Sequence, residues 1–129
     1  MRKQYHLRPS PIGLLAWDVD RLIDLVAHLP RTEVPLGAIR ELDEPFWFSG
    51  GSEVATCRAV ADHARLIFEV DLRYPIILGA DGRVMDGMHR VAKAYLEGRA
   101  TILAVQLEVD PQPDFVGVEE TELPYDERA

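Results

Sequence analysis

Between Tyr74 and Leu107 the hydrophobic pattern changes period twice, and this constrains the fold more than any other feature of the chain. Tyr74-Pro75-Ile76-Ile77-Leu78 is a β-rich run, Gly79-Ala80-Asp81-Gly82 is a turn, and Arg83-Val84-Met85 can return as the paired strand. Asp86-Gly87 then opens a helix with Met88, Val91, Ala92 and Tyr95 on one face, and Gly98 is placed to stop it. Thr101 to Val109 alternates, with Leu103, Val105, Leu107 and Val109 on one side, and is predicted to be a strand. This order predicts an α+β fold, a small mixed sheet with flanking helices.

The flanks are simpler. Residues 1–16 contain Pro9 and Pro11 and lack a clear period, so they read as an irregular arm. Asp18 is an N-cap for a helix carrying Val19, Leu22, Ile23, Val26 and Leu29, which Pro30 ends. Glu33 to Ile39 reads as a short edge strand, because Pro35 is poorly tolerated in a central one. Glu41 to Gly51 is a loop, and Ser52 can cap a second helix running to about Phe68. The expected organisation is one domain over residues 1–109, followed by an acidic, Pro-containing tail over 110–129. Phe115, Val116, Val118, Leu123 and Tyr125 are candidate docking residues in that tail.

Composition bounds the function. The 129 residues carry a net charge of −8, but seven acids against Arg128 put −6 of it in residues 110–129. Net acidity argues against long nucleic acid, whose binding needs basic surface. The nearly neutral body still admits a local anion site. No apolar run reaches the roughly 18 residues needed to span a bilayer. Cys57, alone, can form no internal disulfide, and with no thiolate cluster a cytoplasmic location is expected. Cys57 itself reads as a small buried apolar residue.

The sharpest chemical feature is Val84-Met85-Asp86-Gly87-Met88-His89-Arg90. A strand ends, a glycine turns the chain, and a helix begins. The first backbone N–H groups of a helix lack internal partners and its dipole favours negative charge there. Glycine allows a phosphate close to the backbone, and Arg90 can give a forked pair of hydrogen bonds. Asp86 suits holding a metal, orienting His89 or binding a ribose hydroxyl. The same residues also read as an ordinary capped junction with an arginine salt bridge. His63 reads as a surface histidine, and His6 and His28 have no partner at metal-ligand spacing.

The segment YPIILGADGRVMDGMHRVAKAYLEGRATILAVQL, Tyr74 to Leu107, resembles the ParB/sulfiredoxin-like superfamily. Val34 to Glu44 is similar, more loosely, to the strand and loop that precede it there. The resemblance implies a compact domain that holds nucleotide phosphates at Gly87, Met88, His89 and Arg90. The departures from it are informative. Sulfiredoxins carry a nucleophilic cysteine where this chain has Met88, which argues against sulfinic acid reduction. Partition proteins carry Gly-Glu-Arg-Arg here, which puts their CTP hydrolysis in doubt. The Asp-Gly-His-His-Arg motif of the superfamily's free serine kinases differs only at Met88. That resemblance implies Asp86 and His89 at the reacting phosphate or hydroxyl. It also implies a carboxylate after the first strand as the base; of Glu41, Asp43 and Glu44, Glu44 is the choice because a base must reach a substrate hydroxyl from a loop tip, although these acids also read as a solvated loop. Trp47 reads as a lid or packing aromatic, or as a platform for a base.

The resulting expectation is a protein that binds a nucleotide (ATP, ADP or CTP) or another phosphorylated small molecule and transfers a phosphoryl group to a small hydroxyl compound. Mg²⁺ on Asp86 is compatible with it. The alternative is a non-catalytic nucleotide-sensing or protein-interaction module, with a homo-oligomer admitted. Nuclease activity ranks third, because a nuclease must engage a polyanion.

Overall fold

The hairpin expected from the sequence forms in the computed structural model, which describes residues 3–49 and 53–125. Strand β4 (Ile76–Leu78) pairs antiparallel with β5 (Val84–Asp86), with a bulge between Ile77 and Leu78. The Gly79 N–H donates to the Arg83 carbonyl at 2.8 Å and closes the turn. Helix α3 (Met88–Leu96) starts after Gly87, whose φ of 105° lies in the left-handed region that favours glycine. It ends as Arg99 N–H donates to the Ala94 carbonyl across Gly98. Because α3 carries the chain back across the sheet, β6 (Thr101–Gln106) can lie parallel to β4. Strand β3 (Thr32–Pro35) pairs antiparallel with β6 and leaves Pro35 on an edge. The order is β3-β6-β4-β5.

Both faces of this sheet are covered. Ile76, Leu78, Val84, Ile102 and Ala104 pack with Met88, Val91 and Ala94 of α3 and with Leu36 and Ile39. Ile77, Met85, Val105 and Leu107 pack on the other side with Trp17 and with Leu22 and Val26 of helix α1 (Val19–Val26). Asp18 caps α1 as expected, accepting from the Asp20 N–H at 2.9 Å. This double cover corrects the reading of β6. Ile102 and Ala104 fill one core and Val105 and Leu107 the other, while Val109 is exposed. Alternation marks a single buried face only when the other face meets water. On α3 the buried face is Met88, Val91 and Ala94, and Tyr95 is exposed. Ile23 of α1 is likewise exposed.

The arm expected to be irregular contains a strand. β1 (Tyr5–Arg8) pairs antiparallel with β2 (Leu15–Asp18), and β7 (Phe115–Val116), from the acidic tail, pairs with the other side of β2. The tail is fastened further: Pro111 O accepts from Trp17 Nε1, Asp114 Oδ2 accepts from the Asp18 N–H, and Leu123 is buried. Strands this short leave no period in a sequence, so the second sheet was invisible there.

Helix α2 (Cys57–Glu69) is capped by Thr56, whose hydroxyl accepts from the Ala59 N–H at 3.1 Å. The expected cap Ser52 lies outside the described residues. No residue of α2 is buried, and Cys57 is exposed rather than buried. Among the described residues no helix is long and apolar enough to cross a membrane.

Candidate functional site

A cleft of about 950 Å³ opens where the two sheets meet. One wall is β1, with Tyr5, His6 and Arg8, joined by Glu120 and Tyr125 from the other end of the chain. The opposite wall is the loop of short 3₁₀ turns between β3 and α2, with Glu41, Glu44 and Trp47. The floor is the β5–α3 junction: Met85, Asp86, Gly87, Met88 and His89. The fold thus brings Asp86, Gly87, Met88, His89 and Glu44 to one cavity. A second depression of about 460 Å³, beside Asp71 and Lys93, is shallow, and Lys93 Nζ already donates to the Phe68 and Val70 carbonyls.

Each site residue has a definite environment. A Cβ on Gly87 would meet Ile76 Cγ2 at 2.6 Å and Arg90 Nη2 at 2.8 Å, so the junction is closed tightly around hydrogen. Arg90 folds back over this glycine and donates to Asp86 Oδ2 at 3.1 Å. It is not among the cleft-lining residues, so its guanidinium steadies Asp86 rather than facing the cavity. Burial pushes the Asp86 carboxyl above the ordinary carboxylate range, with Arg90 opposing. Met88 is buried and packs into the core beneath the helix start.

Glu44 accepts from Arg83 Nη2. Glu41, close by in the same loop, is buried: Oε2 accepts from the Val84 N–H at 2.6 Å, and Oε1 has no hydrogen-bond partner among the described residues. Asp43 does not line the cleft. No group of three or more His, Cys, Asp or Glu side chains gathers in a metal-binding arrangement among the described residues.

The structure also adds a cluster that the sequence reading missed. His63, on α2, is not an isolated surface side chain. Its Nδ1 lies 2.8 Å from Nε2 of His89, and its Nε2 lies 2.8 Å from Oε1 of Glu53. Trp47 stacks on both rings, 4.3 Å from His63 and 4.7 Å from His89 between centroids. The four residues come from the loop, α2 and α3, so no motif spacing could have joined them. The one available signal is in α2, where Cys57, Ala61, Ala64, Leu66 and Phe68 give only a ragged apolar face, and a helix with little apolar cover must be held by something else. Burial, then His63 and Arg90, pull His89 down to about 4, so its ring is neutral near pH 7. Across the cleft, burial and Arg8 hold His6 at about 4 as well.

Comparisons with protein-family models, with curated proteins and with solved structures find no match to this chain.

Proposed function

We propose that the cleft binds a nucleotide or another phosphorylated small molecule, with its phosphates at the start of α3, and passes a phosphoryl group to a small hydroxyl compound. The observation that carries this reading is the junction itself. Gly87, Met88 and His89 begin a helix inside a cleft that also presents Asp86, Glu41 and Glu44. Free N–H groups at the helix start receive phosphate, and carboxylates with a neutral imidazole handle a hydroxyl proton. Such transfer depends mostly on positioning and charge stabilisation. Because Glu44 is engaged by Arg83, His89 is the better proton acceptor, and Glu44 with Arg83 serves the acceptor's polar groups. The ParB/sulfiredoxin-like resemblance of Tyr74 to Leu107 supports the same assignment. The lone Cys57 and the net acidity support a cytoplasmic protein acting on small ligands rather than on long nucleic acid.

A second reading, a nucleotide sensor without turnover, is favoured by one feature. Asp86 and Glu44 are each paired with an arginine, as carboxylates with purely structural roles would be. A thermal-shift panel of ATP, ADP and CTP, with and without Mg²⁺, tests binding, because a ligand specific for the folded state raises its stability by about 2.7 kcal/mol at a hundredfold excess over Kd. A search for phosphorylated product from small alcohols and hydroxy acids then separates enzyme from sensor. If no phosphorylated ligand moves the midpoint, both readings fall.

A further inference from the structure

His89 presents a chemical difficulty that its neighbours resolve. A ring whose charged form is held down to about 4 is a poor resting place for a proton at neutral pH. Yet Nε2 of that ring is hydrogen-bonded to a second imidazole, and the second imidazole to a carboxylate. An ionised carboxylate has only acceptors, so His63 Nε2 carries the hydrogen that points at Glu53. His63 Nδ1 then accepts from His89 Nε2–H. His89 is left with a bare Nδ1, and that atom has no hydrogen-bond partner among the described residues. Trp47 covers both rings and holds them nearly parallel, with planes 21° apart.

We infer that Glu53, His63 and His89 form a proton relay in which His63 is the positioning residue, fixing His89 as the Nε2–H tautomer and receiving that proton when His89 Nδ1 takes one from a substrate hydroxyl. The inference rests on the phosphoryl-transfer reading and deepens it. The acceptor's O–H bond breaks and its proton bonds to His89 Nδ1. The N–H bond at His89 Nε2 breaks and re-forms at His63 Nδ1. The hydroxyl oxygen's electron pair makes the bond to phosphorus, and the leaving phosphate departs with the electron pair of the bond that breaks. The positive charge comes to rest on His63, beside the Glu53 carboxylate, instead of on the ring that resists it. Second-partner control of a histidine tautomer is a general device for setting which nitrogen reacts.

The relay is tested on the full chain without ligand by long-range ¹H–¹⁵N NMR of the histidines at neutral pH, with His89→Gln to assign the ring. Expected is a protonated Nε2 and a bare Nδ1 at His89. An Nδ1–H tautomer or an imidazolium there overturns the relay. In the kinetic arm, His63→Phe keeps a ring against Trp47 and removes both nitrogens. With Mg-ATP and a small hydroxyl acceptor, kcat should fall about 10- to 100-fold at unchanged KM. A parental kcat in that variant also overturns the relay. If no phosphorylated compound binds or turns over, the phosphoryl-transfer reading fails by itself, and the NMR result still decides the hydrogen-bond arrangement.

Discussion

Trp47 lies flat on His89, with ring centroids 4.7 Å apart and planes at 17°. The same indole reaches His63 on α2, a helix with no buried residue of its own. Removing it should therefore release α2 before it releases the sheet. Trp47→Ala is expected to cost about 2–3 kcal/mol, from lost apolar area and lost stacking. Trp47→Phe should cost less than half of that. Urea unfolding gives the totals, and amide exchange shows whether the loss of protection is concentrated in 57–69. Unchanged protection there would mean that α2 is held elsewhere.

Acid should weaken the protein in a defined window. His6 and His89 sit at about 4 when folded, against 6.5 for the ordinary side chain. Between those values the unfolded chain binds more protons, so protonation favours unfolding. Their contribution is complete above about 6.5 and is lost as pH falls towards about 4. Asp86 acts with the opposite sign: its raised carboxyl contributes stability below the usual carboxylate value, lost as pH rises through its folded value. Each histidine adds a slope of at most about 1.4 kcal/mol per pH unit. The doubly substituted His6→Gln/His89→Gln protein should show a flatter melting profile between pH 6.5 and 4 than the parent. Parallel profiles would refute the assignment.

Two glycines separate backbone strain from crowding. Gly82 has φ 84° and open space where a Cβ would sit, whereas Gly87 has φ 105° and meets Ile76 there at 2.6 Å. Gly82→Ala should cost about 1 kcal/mol from its left-handed backbone alone. Gly87→Ala should cost about 2–4 kcal/mol, because the core must also move. Chemical denaturation compares the two, and equal costs would show that Ile76 yields freely.

Glu41 and Glu44 should differ as buried and surface groups do. Glu41→Ala orphans the buried Val84 N–H and is expected to cost about 1–3 kcal/mol. Glu44→Ala removes a part-exposed ion pair with Arg83 and should cost less than about 1 kcal/mol. Midpoints in guanidinium chloride measure both. A larger loss for Glu44 would reverse the roles drawn from the structure.

What the sequence revealed depended on locality. The Gly79 turn, the Gly87 junction, the Gly98 stop and the Asp18 cap are each determined by a few adjacent residues, and each forms where the chain predicts it. The α+β class followed from them. Residues whose role depends on where a side chain reaches are less legible. His63 was placed on the surface because Trp47, Glu53 and His89 belong to other elements. Arg90 reads both as a phosphate contact and as a salt bridge, because nothing in the sequence tells whether a guanidinium reaches forward or folds back to a carboxylate four residues behind. The sequence singles out Glu44 over Glu41 as the acid at the loop tip, but what separates the two is burial, which depends on Val84 and Arg83 far along the chain.

The cleft also has a practical property. Tyr5 Oη donates to the Pro124 carbonyl, Tyr5 packs edge-on against Tyr125 with centroids 5.5 Å apart, and both tyrosines line the cavity. A probe that perturbs either tyrosine therefore reports on the cavity and on the join between β1 and the residues after β7 together.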